Sequence, residues 1–210
     1  MRKRVTPYQP YSDEELKSIF NSETYDFLKS PGYYWLPFLA LYTGARLDEL
    51  ASLTADNVLK RDGVVFLNIE SGKTENSVRE IPLHRVILES SFLSFVAERR
   101  QDKFNPQLFV ELTKGPNGHG KNMTRRYRQY LNQIGITDSK KVFHSFRHTF
   151  INRMTEVNAN TVMVMALVGH FKQSKIDLSA PHVVNYQHQK LIVALKHTID
   201  LFDIEINMKF

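Results

Sequence analysis

Arg46 follows Gly44-Ala45 at the predicted start of a short helix over Arg46–Leu53. A cation there opposes the helix dipole, yet free N–H groups beside a guanidinium form a phosphate cradle. The bland alternative is an ion pair with Glu49, one turn on. His144 and Arg147 stand three apart on a predicted helix over 144–157. At about 100° per residue, Phe143, Phe146, Phe150 and Met154 form its core stripe, and His144, Arg147 and Ile151 the stripe beside it. An imidazole and a guanidinium then project together from the border of the core. Alternatively, His144 is a part-buried histidine and Arg147 a solvated cation. His170 follows Gly169, which suits a helix C-cap, so its ring projects from a rigid turn, although a lone histidine there is more often a bystander. Lys73 falls near a hairpin tip, where lysine usually serves solubility. Tyr186 is the only tyrosine after His170, and on a helix tyrosine usually packs.

Other chemistries are poorly served. His144 and His148 are four apart, but Ser145 stands where a zinc-protease helix carries glutamate, and no Asp/Glu pair accompanies them. No metal and no cofactor is expected. There is no Gly-rich phosphate loop and no G-x-S-x-G. Without cysteine there is neither a disulfide framework nor a thiolate metal site. The 210-residue chain carries a net charge of +6, and the excess is concentrated. Between Lys121 and Arg153 lie eight cations (Lys121, Arg125, Arg126, Arg128, Lys140, Lys141, Arg147, Arg153) against one anion, Asp138. That pattern favours a polyanion partner, nucleic acid first, with Lys121, Arg125, Arg126, Arg128, Lys140 and Lys141 as DNA-binding candidates. The bland reading is a solvated basic face.

The elements that must position these groups follow from patterning. Ser12-Asp13-Glu14-Glu15 is a capping box, and a helix to about Leu28 should follow before Pro31-Gly32. Tyr33–Thr43 is apolar nearly all round, a buried helix that Gly44 can close. Val64–Ile69 and Val78–Ile81 read as strands of a hairpin with Lys73 near its tip. Helical patterns follow at about 85–101, 122–134, 144–157 and 159–168, and Pro181 suits the first turn of a last helix to about Lys196. Phe202, Ile204, Ile206, Met208 and Phe210 alternate with polar residues, an amphipathic strand that either caps the chain's own sheet or adds to a neighbour's. The expected fold class is α+β, mostly helical, with a small antiparallel sheet, in a single domain. No apolar run reaches the roughly 20 residues a membrane helix needs, and no apolar stretch follows the basic start as in a secretory signal. Neither a membrane span nor a membrane partner is expected.

Taken in order, Thr43-Gly44-Ala45-Arg46-Leu47-Asp48-Glu49-Leu50, then Lys73 with Arg79-Glu80-Ile81-Pro82-Leu83, His144-Ser145-Phe146-Arg147-His148-Thr149-Phe150, Leu167-Val168-Gly169-His170 and Tyr186, the sequence closely resembles the catalytic domain of the tyrosine recombinases, the phage-integrase family. The resemblance runs from about Tyr11 to Lys196. It implies an integrase-like catalytic domain in which Tyr186 attacks a DNA phosphodiester, a 3′-phosphotyrosyl link forms and a 5′-hydroxyl leaves. By the same resemblance Arg46 and Arg147 clamp the non-bridging oxygens, Lys73 is the general acid, His144 assists proton transfer from the tyrosine, and His170 hydrogen-bonds the scissile phosphate. Glu49 reads as support that orients an arginine. Elementary chemistry is compatible: a tyrosine of pKa about 10 must lose its proton during attack, and two arginines supply the charge that a divalent ion supplies elsewhere.

The resemblance also implies double-stranded DNA as partner, a homotetramer on DNA from a protein that is a monomer when isolated, accessory DNA-bending proteins, and a cytoplasmic, nucleoid-associated place of action in a bacterium or phage. It divides the chain into a linker remnant (1–11), a catalytic core (12–196) and a tail (197–210). By the same resemblance the N-terminal core-binding and arm-binding domains of full-length members are expected to be absent from this chain, and weak, poorly selective DNA binding to follow. The His170–Tyr186 spacing of 16 residues exceeds the family habit, and Phe171–Ala180 should form a longer loop. The competing readings are a type IB topoisomerase-like enzyme and a cleavage-deficient DNA-binding regulator.

Overall fold

A computed structural model describes residues 8–25, 29–70, 78–112, 115, 118, 120–176, 190–204 and 206. Lys73, Tyr186 and the Lys121 side chain lie outside these, as does most of the alternating tail. Ser12 caps α1 (Asp13–Ile19) reciprocally: Glu15 N–H donates to Ser12 Oγ at 3.3 Å, and Ser12 N–H to the Glu15 carboxylate at 2.8 Å. The helix expected to run on to Leu28 instead breaks at Phe20. Asn21 accepts from the Glu23 N–H and starts a separate turn, α2 (Ser22–Tyr25), as a side-chain acceptor at an N-cap does. Pro31 opens α3 (Pro31–Thr43), which is buried on nearly every side, as its all-round apolar sequence predicts.

Gly44 ends α3 with φ 63°. A Cβ there would lie 2.6 Å from a Phe150 ring carbon and 2.9 Å from a Val168 methyl. Gly44→Ala is therefore expected to destabilise by about 2–4 kcal/mol, left-handed backbone strain plus overpacking. Urea unfolding checks this, and a loss below 0.5 kcal/mol would refute the close approach.

Beyond Gly44, α4 (Leu47–Ala51) leads through a 3₁₀ turn (Ala55–Asn57) into a three-stranded antiparallel sheet: β1 (Val58–Arg61), β2 (Val64–Ile69) and β3 (Arg79–Pro82), in the order β1-β2-β3. Leu59 pairs with Phe66, and Leu67 with Ile81. Patterning missed β1. Its signal was Asp62-Gly63, whose positive φ values of 51° and 80° make the two-residue turn that joins twisted strands.

The helix expected over 85–101 is two, α5 (Arg85–Glu89) and α6 (Phe92–Arg99). The Ser90 hydroxyl takes the Ile87 carbonyl and accepts the Phe92 N–H, offering the backbone an alternative to the helix. Then come α7 (Gly120–Gln133), α8 (Ser145–Glu156), α9 (Thr161–Leu167), a 3₁₀ turn at Gln173–Lys175, and α10 (Leu191–Ile199). In α7 the residues Met123, Tyr127, Tyr130 and Leu131 face inward at helical spacing. Phe146, Phe150 and Met154 of α8, with Phe143 two residues before the helix, are in the core, and α8 packs against α3. A single last helix over Pro181–Lys196 is not observed: Lys190 is extended and caps a helix that continues to Ile199.

The tail after α10 does not join the sheet within its described residues. Phe202 is buried against Tyr42, His84 and Phe150, and Ile204 and Ile206 pack half-buried on the same core. The Phe202 carbonyl accepts from His84 Nε2 at 2.8 Å, and His84 Nδ1 accepts from the Val86 N–H at 3.2 Å. Both ring nitrogens are thus committed to the neutral form. Burial, with Lys196 and Arg85 nearby, pushes the imidazole down to about 4. Because the native ring resists a proton that the unfolded ring takes near pH 6.5, stability is full above that pH and falls by up to about 3 kcal/mol as pH drops toward 4. His84→Asn, which keeps a capping acceptor but cannot charge, should flatten this pH dependence in urea unfolding. An unchanged slope would assign it to other groups.

Candidate active site

Five of the sequence-derived residues converge where α4, α8 and the turn after α9 meet. Arg46 holds an extended backbone at the N-cap of α4. Its N–H donates to Glu49 Oε2 at 2.9 Å and its Nη1 to Glu49 Oε1 at 2.7 Å. One third of the Arg46 side chain is exposed, whereas Glu49 is 4% exposed. The ion pair with Glu49 is thus formed, and it leaves part of the guanidinium open to solvent. Arg147, buried on α8, donates from Nη1 to the Gly44 carbonyl at 2.8 Å, and its Nη2 lies 2.9 Å from His170 Nε2. A guanidinium has only donors, so His170 Nε2 is the acceptor and Nδ1 carries the proton. His170 sits where Gly169, at φ 72°, turns the chain out of α9, as its spacing predicts. His144, the residue before α8, is half-buried beside His148 with ring centroids 5.1 Å apart and beneath Tyr8 at 6.1 Å.

The electrostatics are one-sided. Burial, then His148, Arg147, Arg46 and His170, push His144 down to about 4. Burial, then Arg147, Arg46 and Arg79, hold His170 below its ordinary range. Both rings are neutral at pH 7, able to accept a proton or a hydrogen bond. Burial and the facing Arg46 and Arg79 push the Arg147 guanidinium down to about 9, still protonated at neutral pH. Burial would raise the Glu49 carboxyl, but Arg79 and Arg46 together keep it low. Three guanidinium groups thus face one carboxylate, a surplus of positive charge in partly desolvated space. Among the described residues no cluster of three metal-ligating side chains exists.

Arg79 is the residue that sequence reasoning missed as a member. Its side chain is 0% exposed, with Nη2 2.8 Å and Nη1 3.2 Å from the two Glu49 oxygens and Nε 2.7 Å from the Leu167 carbonyl. The signal was available: on β3 a charged residue stands two positions before buried Ile81, in the inward phase of a period-two strand.

The DNA-binding candidates divide. Arg125 and Arg126 are exposed, the latter stacked 4.7 Å over the Tyr33 ring. Lys140 is half-buried, its N–H bound to Asp138. Arg128 donates to the Asp138 and Lys141 carbonyls. Lys141 is held by Glu15 at 2.7 Å and by the Pro10 carbonyl. The last two thus serve to pin the loop before α8 and the N-terminal segment.

Fold and site together define a mostly helical α+β domain with a partly buried arginine–histidine cluster. The sequence matches the phage integrase family over residues 13–187, and the chain belongs to that family. It is 26% identical to a "tyrosine recombinase XerC-like" protein of Caldanaerobacter subterraneus subsp. tengcongensis, across 94% of this chain and 55% of that protein. It is also 26% identical to the transposase from transposon Tn916 of Enterococcus faecalis, across 63% of this chain and 38% of that protein. The fold is shared with the XerH site-specific recombinase bound to difH substrate (TM-score 0.58, 20% identity, 80% of this chain and 49% of that one). It is equally shared with the Tn1549 transposon integrase in complex with transposon right end DNA (TM-score 0.58, 19% identity, 81% and 60%). The chain covers only part of the length of the relatives it matches, 55% and 38% of the two named. Among the described residues no helix is long and apolar enough to cross a membrane.

Proposed function

We propose that this chain is the catalytic domain of a site-specific DNA recombinase. The observation that carries the reading is the convergence of Arg46, Arg147 and neutral His170 on one partly buried spot, with more positive charge than Glu49 compensates. Such a spot is complementary to a phosphodiester whose non-bridging oxygens gain charge in the transition state. The Tyr186 oxygen attacks phosphorus, the P–O5′ bond breaks, and a 3′-phosphotyrosyl link holds the strand. His144, neutral and at the border of the site, takes the phenolic proton; Lys73 gives a proton to the leaving 5′-oxygen. A 5′-hydroxyl of another strand then reverses the sequence, so bond energy is conserved without a cofactor. Arg125, Arg126 and Lys140 contribute sequence-independent phosphate attraction.

Double-stranded DNA is the partner, bound by four copies at synapsis with bending proteins assisting, and the place of action is wherever that DNA lies. Relatives named recombinase and transposase do not favour the topoisomerase-like or binding-only alternatives. The test is covalent capture on nicked duplexes in EDTA, where the short cleaved strand diffuses away. An SDS-resistant adduct mapping to Tyr186, and lost in Tyr186→Phe with DNA affinity retained, is expected. Capture on another residue, or undiminished cleavage by Tyr186→Phe, would overturn the assignment of the nucleophile. DNA binding without any adduct would overturn cleavage by this domain alone.

A further inference from the structure

Among the described strands β3 is an edge, yet its outer face is fastened to the turn that carries His170. Three residues before His170, the Leu167 carbonyl accepts from Arg79 Nε at 2.7 Å. Three residues after it, the Gln173 side chain lies flat against the β3 backbone. Its Nε2 donates to the Glu80 carbonyl at 2.8 Å, and its Oε1 accepts the Glu80 N–H at 3.0 Å. One amide thus makes both ladder bonds that a neighbouring strand residue would make, and Gln173 is buried in doing so. From the same strand, Arg79 reaches the other way and grips both oxygens of Glu49, which holds Arg46.

We propose that Arg79 and Gln173 are positioning residues of the cradle, with β3 as the common reference that sets the distance between Arg46 and His170. The inference rests on the reading of the cradle as a phosphate site. Both side chains are buried and bonded to protein groups, so they would act on a phosphate through Arg46 and His170 rather than by touching it. Arg79 is held by a carboxylate on one side and a carbonyl on the other, using all three corners of its planar fork. Lysine has the charge but not the fork. Gln173 is matched as donor and acceptor at once; an apolar residue of similar volume would fill the space and bind neither backbone group. The stretch after His170, expected to be a longer loop, therefore begins with a fixed anchor. A shift of about 1 Å between phosphate-binding groups can slow phosphoryl transfer by about 100-fold, whereas overall DNA affinity, spread over many backbone contacts, need not change.

The test uses the whole chain and the variants Gln173→Leu and Arg79→Lys. Readouts are thermal unfolding, affinity for a nicked duplex, the single-turnover rate of adduct formation, and the ¹⁵N signature of the His170 ring. The wild type should show one tautomer, protonated on Nδ1. Folded Gln173→Leu should show tautomer averaging at His170 and a rate about 100-fold lower, with duplex affinity unchanged. Arg79→Lys should do the same, and if it fails to fold, Gln173→Leu decides alone. A folded Gln173→Leu that keeps the fixed tautomer overturns the proposal. Should the wild type form no adduct at all, cleavage by this domain alone fails instead, while the tautomer comparison still decides the positioning role.

Discussion

Arg147→Met is expected to reduce single-turnover cleavage by at least about 10³-fold while leaving the fold as stable as wild type or more so. The guanidinium is buried and pinned by a carbonyl and a neutral imidazole, Gly44 and His170, neither of which neutralises it. Arg46 and Arg79 face it with like charge, and burial with that repulsion pushes its pKa down to about 9. In the absence of an anion the domain therefore holds a cation in an unfavourable place, and an apolar chain of similar length should relieve it. An oxyanion cancels the same cost, so sulfate should raise the melting temperature of wild type more than that of Arg147→Met. Melting curves with and without sulfate, beside adduct-formation rates, check the two halves separately. A variant that loses several kcal/mol without sulfate would show that Arg147 holds the fold together rather than awaiting an anion.

The same contrast between local pattern and tertiary context decides what the sequence could reveal. The inward stripe at α8 was legible because Phe143, just before the helix, and Phe146, Phe150 and Met154 on it recur at helical spacing and have a single way to be buried. Gly44 and Gly169 were legible because only a glycine readily takes the left-handed cap, with φ values of 63° and 72°. The placement of Arg46, Glu49 and His170 follows from those caps, and that of Arg147 from the α8 periodicity. What escaped depends on side-chain competition for backbone groups or on partners far away in sequence. Ser90 splits a periodic helix through one hydroxyl, and Asn21 does the same to the first. β1 is hidden because Leu59, Lys60 and Arg61 are all exposed, so no alternation marks it. Arg79 looks like any strand cation until Glu49, thirty residues earlier, and Leu167, eighty-eight later, are placed against it. The alternating tail shows the converse limit. Its period of two is real, and Phe202, Ile204 and Ile206 do face one way. The surface they cover is built by helices, with His84 and Tyr42 accounting for the Phe202 and Ile204 carbonyls, where periodicity implied a sheet.

Glu49 joins these arguments, because the cradle's surplus charge is tolerable only while that carboxylate stays ionised. Glu49→Gln keeps the shape and removes the charge. Arg79 would then be a fully buried guanidinium facing an amide, one of whose two corners is a donor aimed at other donors. Removing one partner of a buried pair costs about 3–5 kcal/mol, so urea unfolding should show a loss of that size, well beyond the effect of an exposed ion pair such as Arg85–Asp203. The wild-type carboxyl is held below the ordinary range. Its contribution is therefore complete above the unfolded carboxylate pKa and is lost only as pH falls through the lower folded value. Glu49→Gln should accordingly lose stability at pH 7 that the wild type keeps there. The double variant Glu49→Gln with Arg79→Met separates charge from packing. With both ions gone, stability should return to within about 1–2 kcal/mol of wild type, since a buried pair adds little over apolar side chains of like volume. Cleavage should stay low, because Arg46 has lost its carboxylate and the His170 turn one of its two ties to β3, the Arg79–Leu167 bond. Recovery of cleavage along with stability would mean that the Glu49–Arg79 pair serves the fold alone.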